Sequence, residues 1–308
     1  MSAVNRVGAA SSATGNIYDL GYRHYEGKHH GRWFVAWSLY VESLRGIWGF
    51  GRPMSAKAAP FIVAGLYLLM ALFQLAFSSV ISESIQQGGV GDLFTYGNYF
   101  ERLGIFLILF CVAQAPEVVC RDQRYQVLSL YFTRAMGRVD YALARLASLA
   151  TALFLVLMVP MIALFVGDVL MKPDTFTAIG NELPQALPAF PAYFLVAVSM
   201  ASIALALSAY SPRRAYSAIG LVAYFLLMEA IPAVIYSVGQ QAGWTWSDKL
   251  MLLTPSTGLT GATAWFFDRR LNPDFPTTIG SEAYLLAILA SIALFTAILL
   301  LRYRRIAA

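Results

Sequence analysis

The side chains that could do chemistry are few, and their positions exclude most reactions. The three histidines, His24, His29 and His30, all precede residue 31. No apolar stretch contains one, which argues against His-dependent zinc sites and His-based acid–base catalysis inside a membrane. His29 and His30 beside Lys28 read as a solvated basic patch, and no H-E-x-x-H occurs. The two cysteines, Cys111 and Cys120, lie in or beside an apolar segment, which fits neither a disulfide framework nor a thiolate metal cluster. No metal ligand set is expected. No G-x-x-x-x-G-K-[ST] phosphate loop occurs, so nothing in the chain argues for ATP binding by this polypeptide itself.

What remains are isolated polar groups in apolar surroundings. Glu229, in LMEAIPAV with Pro232 three residues on, is the sole ionisable residue well inside an apolar stretch. A charge there is expensive and marks either a functional site or an internal pair. Glu229 is therefore a candidate for lining or gating a path, with a structural pair or an outer-interface position as the alternative. Gln114, followed by Pro116 and Glu117, is the second candidate position, and Glu117 could instead pair with Arg121 one turn later. Gly89-Val90-Gly91-Asp92 matches the G-x-G-D string of intramembrane aspartyl proteases. That chemistry needs two facing aspartates, and no apolar stretch supplies a partner for Asp92, so the match is accidental.

The composition sets the elements that must position these groups. Hydrophobic residues make up 58% and charged residues 13%, against about 45–50% and 25% in a soluble domain. A spanning helix needs about 20 apolar residues. Gaps between charges place spans at about 58–81, 99–120, 146–167, 192–210, 215–238 and 283–301. The cluster Pro184, Pro188 and Pro191 is expected to precede the fourth span. The fold class is thus an all-α polytopic membrane protein with six transmembrane helices. The first 57 residues lack an early apolar stretch with a small-residue cleavage site, so insertion is expected to rely on the first span.

Charge orients the spans. With both termini on one face, segments 1–57, 117–148, 211–214 and 302–308 share that face and hold 17 of the 22 Lys and Arg. The other face holds Arg102, Lys172, Lys249, Arg269 and Arg270, with ten of the 17 acidic residues. The positive-inside rule makes the arginine-bearing face cytoplasmic, so the N- and C-termini are expected there.

The connections carry their own patterns. Residues 1–31 form a cytoplasmic N-terminal segment, with 1–16 expected to be disordered. In Arg32–Gly51, the residues Trp33, Trp37, Tyr40, Val41, Leu44 and Trp48 fall on one helical face. This predicts an amphipathic interfacial helix over 32–51, lying flat against membrane lipid, with packing on a soluble domain as the alternative. The cytoplasmic connection 121–145 mixes five arginines with Leu128, Leu130, Tyr131, Phe132 and Met136, an apolar content that requires cover by the membrane surface or another protein. Gly137 favours a break between two short helices there. The outer connection 239–281 carries Trp244, Trp246, Trp265, Phe266 and Phe267, which suits short helices resting on the outer leaflet. The basic segments show no base-stacking or groove-reading pattern, and no nucleic-acid partner is expected.

Three stretches carry a family resemblance: Gly15–Gly27 (GNIYDLGYRHYEG), the block Glu117–Arg145 containing RDQRY and VLSLYFTRAMGRVDYALAR, and Leu253–Ser256 (LTPS). Together with the span count, the chain resembles the permease subunit of bacterial ABC-2 type, exporter-like ABC transporters. Ala135 departs from the proline expected in the family's turn. The resemblance implies a multi-pass protein of the bacterial cytoplasmic membrane. It implies an assembly of two permeases, either a homodimer or this chain with a related one, and two copies of a separate ABC ATPase. ATP and Mg would be bound by that partner, and this chain would hold no cofactor and be no enzyme by itself. It implies a coupling helix that docks on the ATPase, carried here by Leu128, Leu130, Tyr131, Phe132, Thr133, Arg134, Met136 and Arg138. It also implies a path lined mainly by spans 1, 2 and 5, near Gln114, Glu117 and Glu229. The sparsely charged interior favours an amphipathic or lipid-like cargo. A gradient-driven carrier or channel is the alternative function; no internal repeat of the kind that class uses is evident. A membrane-embedded enzyme ranks last, because no nucleophile–base or metal set is present.

Overall fold

The computed structural model describes residues 31–80, 96, 104–132, 136–268, 276 and 279–305, with the side chains of Ser55, Ser78, Ser79, Val80 and Leu130 left aside. The expectation of disorder over 1–16, the three histidines, Gly89–Asp92, Thr133 and Arg134 lie outside these residues. The described elements are helices: α1 (Arg32–Ile47), α2 (Met54–Val80), α3 (Gly104–Arg124), α4 (Leu128–Phe132), α5 (Arg138–Leu170), α6 (Thr175–Ala186), α7 (Ala189–Ser208), α8 (Arg214–Ala242), α9 (Ser247–Leu250), a 3-10 turn (Met251–Leu253), α10 (Pro255–Phe266) and α11 (Ser281–Arg305). No strand occurs among the described residues. Six helical stretches are long and apolar enough to cross a membrane. The protein is an all-α polytopic membrane protein, as its composition requires.

The spanning helices pack around α5 and α7. Buried small residues line α7, among them Ala197, Ser199, Ala201, Ser202, Ala204, Ala206 and Ser208. Short side chains let backbones approach closely where water supplies no drive for association, and α7 touches α3, α5, α8, α10 and α11. By contrast, α8 and α11 bury only 17% of their most apolar windows within the chain, so most of their surface faces outward.

Alternation of direction gathers the starts of α2, α5 and α8 with the ends of α3, α7 and α11. Cross-links confirm this assembly. Arg138 Nη1 donates to the Arg304 carbonyl at 3.1 Å, and Gln123 Nε2 and Arg302 Nε both donate to the Ala209 carbonyl, at 2.9 and 3.3 Å. At 33 residues α5 is about 50 Å long, roughly 20 Å more than the hydrocarbon core. Its first turns therefore extend beyond the apolar layer, together with Arg138.

The proline cluster behaves differently from the expectation that it precedes the fourth span. Pro184 lies inside α6, and Pro191 occupies the first turn of α7, where its missing N–H has no intrahelical partner to lose. The extra helix α6 begins at Asp174, whose carboxylate accepts the Thr177 hydroxyl at 2.7 Å. Phe176, Ile179, Leu183 and Leu187 form an exposed stripe along it. Beside it, Tyr96 donates to Asp168 Oδ2 at 2.8 Å, and Lys172 Nζ meets Glu182 Oε1 at 2.5 Å. Burial, then the nearby Asp168 charge, hold the Tyr96 hydroxyl far above its usual pKa.

The connection after α8 does not merely rest on a leaflet. From Gly243 the chain turns back, and α10 packs along α11 with Gly258 against Ile288 and Gly261 against Tyr284. Ile288 lies seven residues into α11, about 10 Å from its start. The hairpin α9–α10 is therefore re-entrant: it dips between the spans and returns on the same side. A Cβ on Gly261 would stand 2.4 Å from Tyr284 Cγ. Gly261→Val should destabilise the fold by about 1–3 kcal/mol through overpacking. Gly65→Ala, where added volume meets open space on a helix face, should not. Thermal unfolding of the two purified variants in detergent measures the contrast, and equal midpoints would refute the packing.

Candidate functional site

The arginine-bearing end holds a buried charged anchor. On α3, Asp122 accepts the Tyr141 hydroxyl at 2.6 Å and pairs with the Arg145 guanidinium. Arg145 also donates to Ser43 Oγ at 2.7 Å, and the Ser43 hydroxyl donates in turn to the Leu39 carbonyl. Arg145 lies over the Tyr141 ring at 5.2 Å. Helices α1, α3 and α5 are thus locked at one point. An ion pair removed from water needs such satisfied neighbours, since desolvation of each charge costs several kcal/mol.

The connection between α3 and α5 is built on this anchor. Helix α3 ends at Arg124, α4 spans five residues, and α5 begins after Gly137. Gly137 marks a break, but it separates the short α4 from the 33-residue spanning helix α5 rather than two short helices, and the connection is shorter than the 121–145 that charge alone delimits. Asp140 Oδ2 accepts the Gly137 N–H at 3.0 Å, closing the start of α5. The same carboxylate takes a forked pair from Arg32 of α1, at 2.5 and 2.6 Å. Leu128 and Met136 are buried within this chain, while Tyr131 and Phe132 are half-buried on Tyr141, with ring centroids 5.6 and 6.1 Å away. The Arg138 guanidinium lies over the Phe132 ring, 5.6 Å from its centroid. Burial, then Asp122, raise the Tyr131 hydroxyl pKa, so it stays a neutral donor. Tyr303 of α11 adds a third ring 5.1 Å from Tyr141.

Helix α1 presents a different face from the one its aromatic stripe suggests. Leu39, Ser43 and Ile47 are buried, and Tyr40 bonds Thr151 at 3.1 Å. Tyr40, Leu44 and Trp48 pack partly on the core. Trp33 and Trp37 point outward, at 83% and 63% exposure. The glycines Gly49 and Gly51, at φ +71° and +78°, form the tight turn into α2, a conformation that Cβ-bearing residues resist.

The path candidates separate. Glu117 pairs with Arg52 at 2.5 Å and Arg214 at 2.9 Å, rather than with Arg121. It bonds the α1–α2 turn to the start of α8. Gln114 is buried one turn earlier in α3. Glu229 sits at the midpoint of α8, about 20 Å from either end. Its carboxylate accepts the Ser256 N–H at 2.8 Å and the Ser256 hydroxyl at 2.6 Å. Ser256 is the second residue of α10, where unpaired N–H groups and the helix dipole favour a negative partner. Glu229 thus holds the deep end of the re-entrant helix. Asp122, Arg145, Ser43 and Ser256 make contacts that spacing could not reveal, because the helices they join bring together residues 19 to 102 positions apart.

Helix content and six spans define the class, a multi-pass membrane protein. Residues 58–307 match the family described as "Protein of unknown function (DUF2705)", and the chain belongs to that family. The match takes in the six spans and leaves α1 outside it. No curated protein matches the chain.

Breaking the anchor on one side should be far worse than replacing it. Arg145→Met leaves Asp122 buried and unpaired and should cost about 3–5 kcal/mol, whereas Asp122→Leu combined with Arg145→Met should recover most of that loss. A double-mutant cycle on thermal midpoints reads the difference; additive losses would contradict a coupled pair.

Proposed function

We propose that this chain is the membrane-embedded permease subunit of an ABC-2 type exporter in a bacterial plasma membrane. It moves an amphipathic or lipid-like cargo with ATP hydrolysed by a separate nucleotide-binding subunit, present in two copies beside two permeases. The observation that carries this reading is the α3–α5 connection. It is a short helix at the arginine-bearing end whose aromatic side chains rest on Tyr141 and Arg138 of α5, and α5 is itself tied there to α1, α3 and α11. Tyr131 and Phe132 keep a minor part of their surface outward, and Arg138 lies beside them. Partly exposed aromatics with arginine are the residue types that anchor protein interfaces. The positive-inside rule assigns this end to the cytoplasm, where ATP is found. The large outward surfaces of α8 and α11 fit lipid and a second permease.

Within this reading Glu229 and α10 form a movable element beside the path. A carboxylate at the middle of a spanning helix, bonded to the start of a half-length helix, allows α10 to shift by exchanging one pair of hydrogen bonds.

Co-expression with the candidate nucleotide-binding protein tests the assembly. Replacing Tyr131, Phe132 and Arg134 together by alanine should abolish co-purification while the permease still elutes as a folded species; retained assembly refutes the docking. Glu229→Gln keeps the hydroxyl and N–H partners of Ser256 in reach but removes the charge. It should lower ATP-dependent efflux several-fold at unchanged expression, and wild-type efflux would remove Glu229 from the mechanism.

A further inference from the structure

A second feature of the arginine-bearing end is absorbed neither by the anchor nor by the α3–α5 connection. A cavity of about 960 Å³ lies between the end of α3 and the start of α8, lined by Gln123, Arg124, Gln126, Arg213, Arg214 and, on α8, Ala215 and Ala218. Its lining holds three arginines, two amides and no carboxylate. Among the described residues Glu117 is the one acid bonded to this set, and it is already shared by Arg214 and Arg52. Arg124 and Arg213 have no carboxylate within ion-pair distance among the described residues. Each instead has its guanidinium beside an exposed tyrosine ring: Arg124 is 5.9 Å from Tyr125, and Arg213 is 5.6 Å from Tyr216. Both are exposed, so their forks are available.

With Arg214 paired to Glu117, the charges of Arg124 and Arg213 face one concavity without a carboxylate partner among the described residues and repel each other, and an anion offsets that repulsion. Guanidinium forks match the oxygens of a phosphate group through paired hydrogen bonds. The volume exceeds what an inorganic ion fills and lies within the range of small-ligand sites. The cavity also opens in a particular direction. Its α8 wall, Ala215 and Ala218, continues one turn at a time into Val222 and Leu226, which are 38% and 63% exposed. An apolar strip therefore leads from the arginines along a spanning helix. A ligand with an anionic head and an apolar tail satisfies both halves.

We infer that this cavity binds a phosphate group, with Arg124 and Arg213 as its forked donors and Gln126 as a supplementary one. The α8 strip favours the phosphate of an anionic phospholipid over a free phosphate. The inference is independent of the exporter reading, because it concerns the permease alone in the absence of ATP or an ATPase.

Native mass spectrometry of the full-length protein in detergent tests it, titrated separately with phosphatidylglycerol, phosphatidylcholine and inorganic phosphate. Phosphatidylglycerol should be retained about tenfold more strongly than phosphatidylcholine. Arg124→Gln combined with Arg213→Gln should remove that preference, a loss on the scale of one charge-assisted hydrogen bond. Arg305→Gln, an exposed arginine at the same end but outside the cavity, should keep it. Phosphate retention with the same dependence on Arg124 and Arg213, and no lipid preference, supports the phosphate site with a soluble source. Equal retention of the two lipids without phosphate binding overturns the inference. So does an equal effect of the double substitution and Arg305→Gln. A double variant that loses an ATPase partner while its lipid adducts stay unchanged also overturns it, assigning the arginines to a protein partner instead.

Discussion

The pairing of Asp122 with Arg145 is the constraint on which the arginine-bearing end depends. Two opposite charges are held where water is scarce, and each must therefore keep every partner it has: Tyr141, Ser43 and the facing ring. That requirement fixes the relative rotation of α1, α3 and α5. It also fixes the take-off point of α4, because the segment between Arg124 and Gly137 springs from the two helices that carry the pair. The outer bond between Arg32 and Asp140 is more exposed and contributes direction more than strength. A buried pair of this kind is a poor source of net stability and a good source of unique geometry.

At mid-depth a second polar contact plays a comparable part on a smaller scale. Glu229 would be costly in hydrocarbon by itself, and the start of α10 offers it two donors. The helix in turn would have unpaired N–H groups deep among the spans, and Glu229 supplies the acceptor. Each group thus removes the penalty of the other. Close packing of Gly258 and Gly261 on α11 then lets the re-entrant helix fit without a gap.

These two contacts divide the molecule's tasks. The anchor joins α1, α3 and α5 at the arginine-bearing end, and the partly exposed aromatics of α4 rest on α5. At mid-depth a hydrogen-bonded carboxylate joins α8 to α10, while α10 packs closely along α11. A braced end and a polar contact at mid-depth are the two features the proposed role draws on. The arginine-lined cavity beside α8 belongs to neither task.

Composition and charge spacing alone determined that the chain is helical, that it spans a membrane six times, and that its arginines collect at one end. Those properties follow from the length of hydrocarbon a helix must cross and from the cost of charge within it, and both can be read residue by residue. The break at Gly137 and the helical character of residues 32–47 were legible for the same local reasons. Which face of α1 is buried was not, because periodicity ranks apolar positions without knowing that Ser43 will meet Arg145. The re-entrant course of α10 and the helix α6 were missed, since proline and aromatic clusters signal interruption but not the direction the chain takes next. The partners of Glu117, Asp122 and Glu229 were decided only by the tertiary structure. Hydrogen bonds and ion pairs act over a few ångströms of space, and residues far apart in the chain carry no sign in their spacing that folding will bring them together.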